Sequence, residues 1–125
     1  MAKILIVDDE RDARESMAVL LREAGHVVTC APNGREALSA VLSDLPDVVL
    51  LDLLMPEMDG PSFLEVVRSY LRIQSLPVVV LTGLAESPMI DRARALKVNA
   101  ILVKGRAAPA DIRAAVEQAV GRYPG

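Results

Sequence analysis

Five short apolar runs recur along the chain, at Ile4 to Val7, Val27 to Cys30, Val48 to Leu51, Val78 to Leu81 and Ala100 to Val103. Each is continuous rather than alternating. Continuous β-branched runs suit strands covered on both faces, as in a parallel sheet. Between them, apolar residues fall at helical spacing. Ala13, Met17, Leu20, Leu21 and Ala24 share one face, as do Ala37, Leu38, Val41 and Leu42. Phe63, Leu64, Val67 and Leu71 form a third stripe, and Ile112, Ala115, Val116 and Ala119 another. The segment from Pro88 to Leu96 carries the weakest stripe, only Met89, Ala93 and Leu96. Boundary signals agree with these limits. Asn33 and Glu36 have capping-box spacing, Pro61, Pro88 and Pro109 suit first helical positions, and Gly25 suits a helix end. The pattern predicts a three-layer (βα)₅ domain of the α/β class, with a parallel five-stranded sheet and helices on both faces. Pattern alone leaves the strand order open.

At 125 residues the chain is long enough for one unstapled core, and the expectation is a single domain over residues 1–125. Phe63, Tyr70 and Tyr123 are the only aromatics, so that core must be aliphatic. Net charge is −3 with no Lys/Arg run, which excludes an electrostatic footprint for direct nucleic-acid binding or an anionic membrane. No apolar stretch reaches membrane-spanning length, and the N-terminal run before Asp8 is too short for a signal-peptide core. The single Cys30 has no intrachain disulfide partner and reads as a small buried hydrophobe. His26 reads as a turn or surface residue. A cytoplasmic location is the simplest expectation.

Chemistry-bearing residues stand where the apolar runs stop. Asp8 and Asp9 end the first, Asp52 ends the third, Thr82 follows the fourth and Lys104 follows the fifth. In a parallel sheet these strand ends lie along one edge, where ligands bind. Taken singly, Asp8 or Asp9 could be a helix N-cap, Thr82 a turn residue and Lys104 a solvated lysine. Asp52 is harder to explain away, because Val48 to Leu51 precede it and Leu53 to Met55 follow it. A carboxylate in such surroundings is costly unless paired or metal-bound. Three carboxylates in one pocket repel one another, and a hard dication removes the conflict. All-oxygen ligands point to Mg²⁺ or Mn²⁺ rather than zinc. Acids, a cation, a hydroxyl and a lysine together make a phosphoryl-transfer site.

These stretches resemble the receiver domain of two-component signalling, of the chemotaxis-regulator type. The resemblance is carried by Ile4-Leu5-Ile6-Val7-Asp8-Asp9-Glu10, by Pro46 to Asp52, by Met55-Pro56-Glu57-Met58-Asp59-Gly60, and by Thr82-Gly83 and Lys104. It runs end to end and implies a flavodoxin-like fold with strand order 2-1-3-4-5. It implies that Asp52 accepts a phosphoryl group from a sensor histidine kinase or histidine phosphotransfer protein. Asp9, Asp52 and the backbone carbonyl of Leu54 would bind Mg²⁺ directly, and Asp8 mostly through water. Thr82 and Lys104 would hold phosphoryl oxygens. Leu54 and Leu84, two residues after the acceptor and two after the threonine, would flank the path of hydrolytic water.

Three departures fall on the face made by the fourth helix, fifth strand and fifth helix, which carries output in the family. Gly105 follows Lys104 where the family usually has proline. Ile101 stands where an aromatic switch residue is frequent. Lys97 and Val98 replace a Gly-Ala turn, with Asn99 expected to supply the bend. A hydrolase with an aspartyl nucleophile would carry a second acid at Leu54, and a flavin-binding flavodoxin would lack Asp8-Asp9-Glu10 after the first strand. A receiver-like interaction module working without phosphorylation is the alternative left open. The expectation is therefore a switch and not an enzyme in the turnover sense. Its signal would pass to a downstream protein target, to an output domain outside this chain, or to a phosphorylation-dependent homodimer, with no direct nucleic-acid or membrane contact.

Overall fold

The computed structural model describes residues 1–121; Tyr123 lies outside the described residues. The elements alternate as β1 (Lys3–Val7), α1 (Arg11–Glu23), β2 (Val27–Ala31), α2 (Gly34–Ser43), β3 (Val48–Leu51), α3 (Gly60–Ser69), β4 (Val78–Thr82), α4 (Pro88–Ala95), β5 (Ala100–Val103) and α5 (Pro109–Gly121). All strand pairings are parallel, and the sheet order is β2-β1-β3-β4-β5. Both the alternation and the order implied by the resemblance are met.

The pleat explains why the central strand sequences are apolar on both faces, as in the Val48–Leu51 run. Successive side chains point to opposite faces, and each face meets its own helices. Ile4, Ile6, Val48, Leu50, Val79 and Leu81 pack with Ala18 and Leu21 of α1 and Ile112, Val116 and Ala119 of α5. Leu5, Val7, Val49, Leu51, Val78 and Val80 pack with Ala37 and Val41 of α2, Phe63, Leu64 and Val67 of α3, and Ile90 and Ala93 of α4. A strand buried on both faces is apolar along its middle, and the polar Thr82 falls at the carboxyl end of β4.

Helix ends follow local chemistry. Gly25 takes φ +94°, its N–H donates to the Arg22 carbonyl, and that of His26 donates to the Leu21 carbonyl, a Schellman close. Asp59 caps α3 through Ser62 N–H at 2.8 Å, and Ser87 caps α4 through Met89 N–H at 3.0 Å. Asn33 accepts from Glu36 N–H at 2.8 Å as its spacing predicts, but the Glu36 carboxylate accepts from the Asn33 side-chain amide. Pro61 occupies the second helical position rather than the first, since α3 begins at Gly60.

Other expectations need correction. Leu42 is 53% exposed, and Leu71 lies beyond the end of α3 and is 84% exposed; Ile73 and Leu76 fill the core beneath them instead. Cys30 is exposed, because β2 is an edge strand and only Val28 and Ala31 along it are buried. The His26 side chain is only 9% exposed. Its Nδ1 accepts from Ala2 N–H, and its Nε2 pairs with Glu117 on α5. In the α4–β5 turn, Lys97 takes the left-handed conformation (φ +61°), whereas Asn99 Oδ1 accepts from Val78 N–H and so registers β5 against β4. Arg68 holds this turn from below, donating to the carbonyls of Leu96 and Leu76 at 2.8 Å each.

Candidate functional site

The strand ladders continue one residue past β1 and β3, and the β5 end is tied to β4. Asp8 N–H donates to the Ala31 carbonyl, Asp52 N–H to Val7 and Lys104 N–H to Thr82. The backbones of three candidate residues are thereby fixed to the carboxyl edge of the sheet. One oxygen from each of Asp8, Asp9 and Asp52 lies within 4.8 Å of the others. Asp8, Asp52 and Thr82 are buried, with 5%, 7% and 0% exposed, while Asp9 faces solvent. Beside them lies an open crevice of about 460 Å³ lined by Asp9, Glu10, Asp52, Leu54, Thr82, Gly83, Leu84 and Lys104.

Lys104 reaches across this cluster. Its Nζ is 2.7 Å from Asp8 Oδ2 and 3.3 Å from Asp52 Oδ2. The other Asp8 oxygen accepts from Glu10 N–H at 2.9 Å. Burial pushes the Asp52 carboxyl above its ordinary value; Lys104 pulls it back and Asp8 adds to the rise. Burial alone would lower the Lys104 ammonium, but its bond to Asp8 and the charge of Asp52 outweigh that and hold it above its ordinary value. The Thr82 hydroxyl accepts from Leu84 N–H at 3.3 Å, closing a tight turn at the crevice wall.

The donor set suits a hard dication: carboxylates at short mutual range, no nitrogen or sulfur ligand among them, and one acid open to solvent. All five sequence candidates, Asp8, Asp9, Asp52, Thr82 and Lys104, gather here. Leu54, named for its backbone carbonyl, borders the same crevice.

Three further features shape the site; Arg14 gave no sequence signal, and the roles of Gly60 and Gly105 emerge only from the geometry. Arg14 on α1 donates to the Asp8 carbonyl at 2.8 Å and anchors the acidic turn. Gly60 N–H donates to the Leu53 carbonyl at 2.9 Å, and a Cβ there would lie 2.6 Å from Leu53 Cα and 2.8 Å from the Asp52 carbonyl oxygen. Only glycine allows α3 to start so close behind Asp52. Gly105 at φ +84° makes the turn after Lys104, where Arg106 N–H and Ala107 N–H both donate to the Val103 carbonyl. That is how the chain turns without the family's proline.

Residues 4–117 match the response regulator receiver domain family. The chain belongs to that family. It is 40% identical over 94 residues to a 14.6 kDa protein from the sodA1 3′ region of Leptolyngbya boryana, covering 75% of this chain and 70% of that protein. It is 46% identical over 82 residues to response regulator MprA of Mycolicibacterium vanbaalenii, covering 65% of this chain and 34% of MprA. Among solved structures, chemotaxis response regulator CheY4 of Vibrio cholerae superposes with TM-score 0.86 at 30% identity, covering 95% of this chain and 98% of that one. The chain is thus a flavodoxin-like receiver domain of two-component signalling. Of MprA and three other longer relatives it spans only 28% to 37% of the length. None of the helices among the described residues is long and apolar enough to cross a membrane.

Proposed function

We propose that this receiver is a phosphoacceptor switch in which Asp52 takes a phosphoryl group from a histidine kinase or histidine phosphotransfer protein. The observation that supports it best is the convergence of three carboxylates within 4.8 Å, two of them bridged by Lys104. An Asp52 carboxylate oxygen attacks phosphorus as the phosphorus–nitrogen bond of the donor breaks, leaving an aspartyl phosphate. Asp52 is held by its backbone bond to Val7 and lines the crevice. Lys104 already lies against Asp52, and a small swing of its ammonium places it on a phosphoryl oxygen. Thr82 offers a hydroxyl to the same crevice. Asp9, Asp52 and the Leu54 carbonyl would hold Mg²⁺ or Mn²⁺, with Asp8 acting through water. Bound there, the dication supplies positive charge against the carboxylates and the incoming phosphoryl oxygens.

On this reading the chain catalyses only its own phosphorylation and dephosphorylation. Residues 1–125 act as one receiver unit that presents its α4–β5–α5 face to a downstream partner or output domain. Ile101 packs half-buried on that face, where an aromatic is frequent in the family.

The test is incubation with acetyl phosphate, with and without Mg²⁺, followed by intact mass. One added phosphoryl group is expected with Mg²⁺ alone, absent in EDTA and absent in Asp52→Asn. A phosphoform that persists in Asp52→Asn, or that forms equally in EDTA, overturns the assignment.

A further inference from the structure

The loop between β3 and α3 carries Asp52 at its start and Leu54 two residues on. It is tied across to the β2–α2 turn at two adjacent points. Gly34 N–H donates to the Met58 carbonyl at 3.1 Å, and a Cβ on Gly34 would sit 2.3 Å from that oxygen, so the two backbones are in direct contact. One residue earlier on each side, Asn33 Nδ2 donates to Glu57 Oε2 at 3.0 Å. Asn33 is 5% exposed and its side chain is fully engaged. Its oxygen caps Glu36 N–H and its nitrogen also donates to the Glu36 carboxylate.

Glu57 is unusual in its backbone. Its φ is +64°, a left-handed conformation that glycine and asparagine adopt far more readily. A glutamate at such a position is retained against its conformational preference. The contact that rewards it is the bond to Asn33, since a glycine there would make the same turn but could not reach across.

We propose that Asn33 and Glu57 form a latch that holds the Asp52–Asp59 loop in the geometry that binds the divalent cation. Both are positioning residues and touch neither metal nor phosphoryl group. The latch acts through the short chain from Glu57 back to Leu54 and Asp52, while Met55 and Gly60 hold the loop to the core from inside. The proposal rests on the metal reading above.

Glu57→Gly separates the latch from the turn, because it relieves the backbone while removing the carboxylate. Its unfolding midpoint should equal or exceed that of the native chain. Its Mg²⁺ dissociation constant, measured by calorimetry, should rise about threefold to tenfold, because apparent affinity falls with the fraction of loop in the competent geometry. Phosphorylation by acetyl phosphate should slow at low Mg²⁺ and recover when Mg²⁺ saturates. Glu57→Gln, which keeps an acceptor, should restore most of the affinity. Asn33→Ser, which keeps a helix cap but loses the amide, should weaken Mg²⁺ binding comparably, and the double variant should be no weaker than either single one. Unchanged Mg²⁺ affinity in Glu57→Gly, or independent losses that multiply in the double variant, overturns the latch alone. Absence of Mg²⁺ binding in the native chain overturns both the latch and the metal reading.

Discussion

Lys104 bridges the two buried carboxylates Asp8 and Asp52, and removing it exposes the electrostatic cost of the site. Lys104→Met keeps an apolar stem of similar length and deletes the charge. Asp8 and Asp52 are then left together, 7% and 9% exposed in their side chains, with no ammonium between them. Breaking a fully buried pair costs about 3–5 kcal/mol. Lys104 is itself 26% exposed, so water recovers part of that, and a loss of about 2–3 kcal/mol at neutral pH in EDTA is expected. The pH dependence has a definite sign. The folded-state pKa of Asp52 is raised, so its protonated form is the one the fold favours. Its contribution to stability is fully present below its unfolded pKa and is lost as pH rises through the raised folded value. Without Lys104 that folded value rises further, so the variant's deficit is largest at neutral pH and shrinks on acidification. Mg²⁺ should raise the stability of either protein, by about 2.7 kcal/mol at one hundred times its dissociation constant. Urea unfolding of both proteins at neutral and acid pH, in EDTA and in excess Mg²⁺, makes the comparison. A Lys104→Met variant as stable as the native chain at neutral pH in EDTA, or one with an equal deficit at acid pH, refutes the reasoning.

Two further predictions concern lifetime and packing. Leu54 is 61% exposed and Leu84 half-buried at the crevice wall, and neither can orient a water for attack on the aspartyl phosphate. Leu54→Asn combined with Leu84→Glu should accelerate loss of the phosphoryl group, by roughly tenfold for each 1.4 kcal/mol of orientation supplied; an unchanged or slower decay, followed by intact mass, contradicts the idea. Gly60→Ala would drive a methyl to within 2.6 Å of Leu53 Cα, which should destabilise the domain by about 1–3 kcal/mol. It should also slow phosphorylation by displacing the Asp52 carbonyl side of the loop, and a thermal midpoint equal to the native one would show that the loop yields freely.

The sequence by itself determined the alternation of strands and helices, because runs such as Val48 to Leu51 and stripes such as Phe63, Leu64 and Val67 carry the two periodicities directly. It also determined which polar residues would meet. Parallel strands must end on one edge, so Asp8, Asp9, Asp52, Thr82 and Lys104 needed no knowledge of side-chain packing to be grouped. The strand order came from the family resemblance, carried by the paired acids Asp8 and Asp9, the Asp52 to Gly60 stretch, Thr82-Gly83 and Lys104, and not from periodicity. Local reasoning went wrong where burial depends on which element lies alongside. Cys30 sits in an apolar run but on an edge strand, Leu71 continues a stripe after its helix has ended, and His26 follows a turn glycine yet docks on α5. The Lys104 bridge between Asp8 and Asp52, the Arg14 anchor and the tie between Asn33 and Glu57 were decided only by the tertiary structure. The Lys104 bridge and the Asn33–Glu57 tie join residues far apart in the chain, and Arg14 reaches back from its helix to the turn before it; periodicity constrains the face a residue takes but not the partner it finds there.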